Sequence, residues 1–213
     1  MTCQSYMPKS TLLQLDEKKR QRVLNAAMAE FADHPYDRAN LDRIANAAGV
    51  PKGSLYQYFH NKRDCFDAAV HHAFGAAFSE FEGYLLRSRS RDCFEEFRHA
   101  LLFAIVLRER QPLIARLYFR VGFLESVELQ REIVSRNALF QERWFERGIS
   151  EGLLDRHIDR TSARFLLDAI SNRFHFLALS GSLNQRSLRR LAGSLSQHVR
   201  HALAFTMRKG ANR

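Results

Sequence analysis

Apolar residues recur at intervals of three and four from Asp16 almost to the end of the chain, and that spacing admits little besides helix. Val23, Leu24, Ala27 and Phe31 share one face of a first helix. Pro35 must end it, because the residue before a proline is pushed out of the α region. Only 4 prolines and 10 glycines punctuate 213 residues, too few for the frequent turns of an all-β chain. No alternating run demands a strand, and no internal repeat is sustained. The expected fold class is all-α, with residues 1–14 as a flexible leader.

Two short helices stand out. Asn40 is a natural N-cap for one over 41–48, and Gly49 suits the left-handed position that ends it. The second runs over 52–59. Asn61 then caps a long helix over 62–87, with Phe66, Val70, Phe74, Ala77, Phe81 and Leu85 on one stripe. Further helices are expected over 92–110, 112–124, 126–151, 159–180 and 185–208.

Two helices joined by a tight glycine-containing turn, here Ala48-Gly49-Val50-Pro51, form a helix-turn-helix. Leu41, Ile44, Ala45, Ala48 and Val50 supply apolar contacts, and Leu55 and Phe59, one turn apart, must face the same core. Gly53 and Gln57 then point away from it, with Ser54 and Tyr56 on the flanks and Lys52 just before. A small, hydrogen-bonding surface of this kind suits a helix entering a DNA major groove. Gly53 lets the backbone come close, Gln57 can read adenine, and Lys52 can read guanine or neutralise a phosphate. The helix start at Asn61-Lys62 can hold a phosphate.

Phe31, Tyr36, Asn40-Leu41, Ile44-Ala45, Ala47-Ala48-Gly49-Val50, Lys52-Gly53-Ser54-Leu55-Tyr56, Tyr58-Phe59 and Lys62 together resemble the N-terminal domain of the tetracycline-repressor (TetR) family, over about residues 16–65. The resemblance implies a three-helix DNA-binding domain, assigned to 15–62, whose third helix reads DNA. It implies DNA-facing positions at Lys52, Gly53, Ser54, Tyr56, Gln57, Tyr58 and Lys62, with Tyr58 and Lys62 on phosphates; Asn40 and Arg43 are further candidates. Pro35, Asn40 and Pro51 stand where the family more often has Gly, Ser or Thr, and Ser. Asn caps as well as Ser does, and Pro is favoured at a helix start.

Residues 63–213 resemble the family in helical plan alone, which implies a helical ligand-binding and dimerisation domain. A homodimer built on the last two helices is expected to use Phe165, Ile170 and Leu177 with Leu188, Leu195, Val199 and Leu203. Two copies reading a palindrome supply the specificity that one short helix lacks. The 62–87 helix joins both domains and is the expected lever for an effector.

The chain has 17 phenylalanines. Phe97, Leu101, Phe103, Tyr118 and Phe119, with Phe140, Trp144 and Phe174, are candidates to line an apolar pocket; aromatic stripes at helical spacing also make ordinary core. His175 is a candidate polar group in that pocket. The implied function is a transcriptional repressor released from its operator by a small hydrophobic or amphipathic effector.

No Rossmann, P-loop, zincin or nucleophile-elbow motif occurs, so no enzyme and no cofactor are expected. His71 and His72 are adjacent and point apart on a helix, which makes them poor metal co-ligands, and no metal is expected. The three cysteines, Cys3, Cys65 and Cys93, are scattered and odd in number, as in a cytoplasmic protein, and are expected to be inert thiols. No secretory or membrane-spanning segment is evident. The formal charge of +10 favours a polyanionic partner. Residues 1–63 carry ten Lys/Arg against six Asp/Glu, so basicity is spread over both parts. The competing reading is a basic helical protein that binds a membrane surface or a protein partner, through Arg186, Arg189, Arg190, Arg200, Arg208 and Lys209.

Overall fold

The computed structural model describes residues 9–121 and 127–204, and the side chains of all of these except 127–134. It is all-α. After α1 (Ser10–Leu13) and α2 (Glu17–Asp33), a 3-10 turn over Tyr36–Arg38 leads to α3 (Leu41–Ala48) and α4 (Lys52–Tyr58). Then come α5 (Lys62–Ser88), α6 (Cys93–Arg110), α7 (Pro112–Arg120), α8 (Val127–Ser150), α9 (Arg160–Leu179) and α10 (Gln185–Leu203). The ends of two expected helices, at 122–124 and 205–208, lie outside the described residues.

The expected leader is corrected in part. Residues 1–8 lie outside the described residues, but Ser10–Leu13 is helical and packed. The physical reason is Leu12, which is 3% exposed and so anchors the segment. Lys9 Nζ also donates to the Tyr56 carbonyl at 2.8 Å, and the Thr11 hydroxyl donates to that of Gln57.

The chain divides into two compact units. One comprises the described residues up to Glu80 together with 107–121; the other comprises Phe81–Val106 and the described residues from Val127 onward. The division falls inside α5 and inside α6.

In the first unit α2 packs on α3 and α7, and α4 packs on α3 and α1. Asp16 starts α2 by accepting from the amides of Lys18 and Lys19 at 3.1 and 3.0 Å. Phe31, Ile44, Leu55, Phe59 and Phe66 are each buried, and Phe66 lies edge-on to Phe31 at 5.0 Å and to Tyr36 at 5.3 Å. Arg120 of α7 donates to the Ala32 carbonyl at 3.0 Å, which supplies one of the partners that the last turn of α2 lacks.

The second unit is built around Phe94, Phe97, Leu101, Trp144, Phe145 and Phe174. The Trp144 indole donates to the Cys93 carbonyl at 2.5 Å, and the Ser196 hydroxyl to that of Phe94 at 2.7 Å. Both bonds satisfy polar groups that would be costly to bury alone. Gly148 is required by close approach, since a Cβ there would meet Leu154 Cδ1 at 2.5 Å. Among the described residues no helix is long and apolar enough to cross a membrane.

Candidate nucleic-acid interface

The helix-turn-helix is assembled by local rules. The Asn40 side chain accepts from the Asp42 amide at 2.7 Å and starts α3. Gly49 ends it with φ of 65°, where an L side chain is strained. The amides of Val50 and Gly49 return to the carbonyls of Ala45 and Asn46 at 3.0 and 3.1 Å, a Schellman turn. Val50 is buried beyond it, and Pro51 opens α4.

Leu55 and Phe59 face inward at 1% and 2% exposure, as the one-turn spacing requires. Lys52, Gly53, Tyr56 and Gln57 are exposed, and Ser54 is half-buried. Gly53 has an ordinary helical backbone, and a Cβ built on it would meet nothing within 4 Å. The protein's own packing therefore does not require glycine there, although glycine costs a helix about 1 kcal/mol relative to alanine.

Other expected contact residues already have partners inside the protein. Arg43 is paired with the buried Glu30 at 2.5 Å and also donates to the Arg38 carbonyl at 2.8 Å. The Glu30 carboxylate further accepts from the Asn40 amide at 2.8 Å. Burial pushes the Glu30 carboxyl up, but hydrogen bonds from Arg43 and Asn40, with the charges of Arg43 and His34, outweigh it and hold the group below the usual glutamate range. Lys62 donates to the carbonyls of Asp37 and Ala39 at 3.2 and 3.1 Å, and its ammonium sits 4.8 Å from the Tyr36 ring centroid. Tyr58, expected to grip a phosphate, is 4% exposed and belongs to the core of this unit. Lys52 is paired with Asp42 at 2.8 Å, but both side chains remain half in solvent, so the pair can open at little cost.

The family model for bacterial regulatory proteins of the tetR family matches residues 23–69, from within α2 to within α5. That segment is similar to the DNA-binding domain of tetR-family regulators. A probable acrEF/envCD operon repressor of Escherichia coli K12 is 40% identical over 50 residues, 24% of this chain and 23% of the relative. The match thus spans about a quarter of that relative's length. The fatty acid metabolism regulator protein of Bacillus subtilis is 24% identical over 158 residues, 70% of this chain and 77% of the relative. Among solved structures, the transcriptional regulator FadR from Bacillus subtilis in complex with stearoyl-CoA shares the fold, with a TM-score of 0.68 and 18% identity over 84% of this chain and 96% of that one. The relatives named are all regulators.

The expected pocket residues are distributed between the two units. Tyr118 and Phe119 belong to the first, where Tyr118 stacks on Phe74 at 4.7 Å. In the second unit Phe97, Leu101, Trp144 and Phe174 are consumed by the core. Phe103 and Phe140 both pack edge-on against Phe81, at 5.2 and 5.5 Å. His175 differs from these: its ring is hydrogen-bonded to the Ala100 backbone, while its buried Nε2 has no hydrogen-bond partner. Burial pushes its pKa down to about 4, against the opposing Ala100 bond. The ring is therefore neutral near pH 7, with its N–H spent on the Ala100 carbonyl and a lone pair left on Nε2.

Two residues expected at a partner face, Leu188 and Val199, are corrected. They are 0% and 1% exposed in the chain's own core and have no surface left for a second copy. Ile170, Leu177, Leu195 and Leu203 are partly buried, and Phe165 is 77% exposed. On the basic last helix, Arg200 pairs with Asp92 at 2.5 Å and lies over Phe94, so it is not part of a free cationic face.

Sequence reasoning missed Glu30, Lys9 and Thr11. A signal existed for Glu30, a carboxylate one turn beyond Ala26 and Ala27 on the buried stripe of α2. Nothing local marks Lys9 or Thr11, whose partners are more than forty positions away.

Proposed function

We propose that this chain is a sequence-specific DNA-binding transcriptional regulator, a cytoplasmic homodimeric repressor that leaves a palindromic operator when a small hydrophobic or amphipathic effector binds its second unit. The observation that carries the reading is Gly53. It stands mid-helix on an exposed face, costs helix stability, and is required by nothing inside the protein. A surface that approaches the α4 backbone from outside accounts for it, and a major groove is such a surface. Tyr56 and Gln57 then read or brace base edges, Ser54 flanks them, and Lys52 exchanges Asp42 for a phosphate. Arg43, Asn40 and Lys62 support this reading as scaffold: they hold α3 and the 3-10 turn in place.

Dimerisation follows from the need to read two half-sites about 34–36 Å apart. The exposed Phe165 on α9 supports a partner there. For the effector, the His175 lone pair calls for a ligand that brings a hydrogen-bond donor, such as a hydroxyl or amide N–H, into apolar surroundings. That a structural neighbour was solved with stearoyl-CoA supports an amphipathic class of ligand.

The test is selection of DNA sites from a random pool by the full chain, repeated with Tyr56→Ala and Gln57→Ala. One palindromic motif is expected, weakened in both variants and with steep salt dependence. Binding to anionic vesicles with no enriched motif would favour the competing membrane reading instead.

A further inference from the structure

The C-terminal end of α4 is held by residues that precede the helix-turn-helix. The last carbonyls of any helix have no partner within it. In α4 the Leu55 carbonyl accepts from the Phe59 amide at 2.8 Å. The next two carbonyls, those of Tyr56 and Gln57, accept from Lys9 Nζ at 2.8 Å and from the Thr11 hydroxyl. Lys9 also places a positive charge at the negative end of the helix dipole. On its other side α1 is tied to α2, because Arg20 Nη1 donates to the Leu13 carbonyl at 3.3 Å. Leu12, between these bonds, is buried. The one-turn helix α1 is thus a strut between α2 and α4. The two carbonyls it holds belong to Tyr56 and Gln57, whose side chains form the exposed face.

We propose that α1 is a positioning element for the recognition helix, in which Lys9 and Thr11 fix the end of α4 without touching DNA themselves. A helix as short as α4 is not stable on its own, so an unfilled end loosens it. The consequence for DNA rests on the operator reading above; the consequence for α4 does not.

The test uses the full chain with Thr11→Val, Thr11→Ser and Lys9→Met. Amide exchange, followed by mass spectrometry, is compared over residues 51–60 and 23–33. Binding to the site selected by the unaltered protein is measured across salt concentrations. Thr11→Val and Lys9→Met are expected to speed exchange over α4 about tenfold and leave α2 unchanged, while Thr11→Ser behaves as the unaltered chain. Operator binding is expected to weaken about tenfold with an unchanged log–log salt slope. Unchanged exchange over α4 in both loss variants overturns the proposal. So does a salt slope reduced by about one in Lys9→Met, the mark of a lost phosphate contact. If the unaltered chain selects no DNA site, the operator reading fails, and the exchange result alone upholds or overturns the strut.

Discussion

Arg43 grips the buried carboxylate of Glu30 through two of its nitrogens: Nε lies 2.9 Å from Oε1 and 3.0 Å from Oε2, and Nη2 lies 2.5 Å from Oε1. With the Asn40 amide on the same carboxylate, this pair joins the end of α2 to the start of α3. Such a forked geometry is specific to arginine, since a lysine presents a single point charge.

Removing the exposed Arg43 leaves the buried Glu30 carboxylate with its charge uncompensated. Arg43→Ala is therefore expected to lower unfolding free energy, and Arg43→Lys to recover only part of the loss, read by urea titration. The pair also sets an acid limit. The Glu30 carboxyl is held below its ordinary 4.5, so its contribution is complete above that value and is lost as pH falls through the lowered one. The same titration below pH 4.5 should show a shallower loss in Arg43→Ala; an identical loss would mean that Glu30 does not carry it.

Gly53→Ala separates stability from function. Since a Cβ at Gly53 meets nothing in the protein, the variant is expected to gain up to about 1 kcal/mol in thermal or urea unfolding. The same methyl stands where DNA must approach, so operator affinity, measured by fluorescence anisotropy, is expected to fall about tenfold. A variant that is more stable and binds equally well would remove the main support for the DNA-facing assignment.

His175 titrates in a different window. Its folded value of about 4 lies below the ordinary 6.5, so between these the unfolded chain takes up a proton that the folded chain refuses. Stability should be complete above pH 6.5 and decline as pH falls toward about 4, by about 3 kcal/mol. His175→Leu is expected to flatten this slope while leaving the loss below pH 4.5 that belongs to Glu30.

The described thiols should be inert in the folded protein. Cys65 and Cys93 are both fully buried, and burial pushes each thiol upward, that of Cys93 to about 12. In a Cys3→Ser background, iodoacetamide at pH 8 is expected to add no mass until urea unfolds the chain. Rapid labelling of the native protein would point to an open path to one of these sites.

Local chemistry in the sequence determined the order of the helices, the ends of α3 and the inward placement of Leu55 and Phe59. Each depends on residues within about one helical turn: a cap at Asn40, a left-handed glycine at position 49, and apolar residues one turn apart. The same local reading marked Gly53, Tyr56 and Gln57 as outward-facing. Only the tertiary structure decided what the neighbouring polar groups do. Arg43 and Lys62 read as cations available to phosphate, yet Glu30 and the 3-10 turn claim them from 13 and about 24 positions away. Residues 9–13 read as leader because their partners, α4 and Arg20, lie on other helices. Leu188 and Val199 had the right periodicity for either a core or a partner face, and periodicity names a face without saying what covers it. Helix formation is written in neighbours along the chain, whereas burial, pairing and charge compensation depend on neighbours in space.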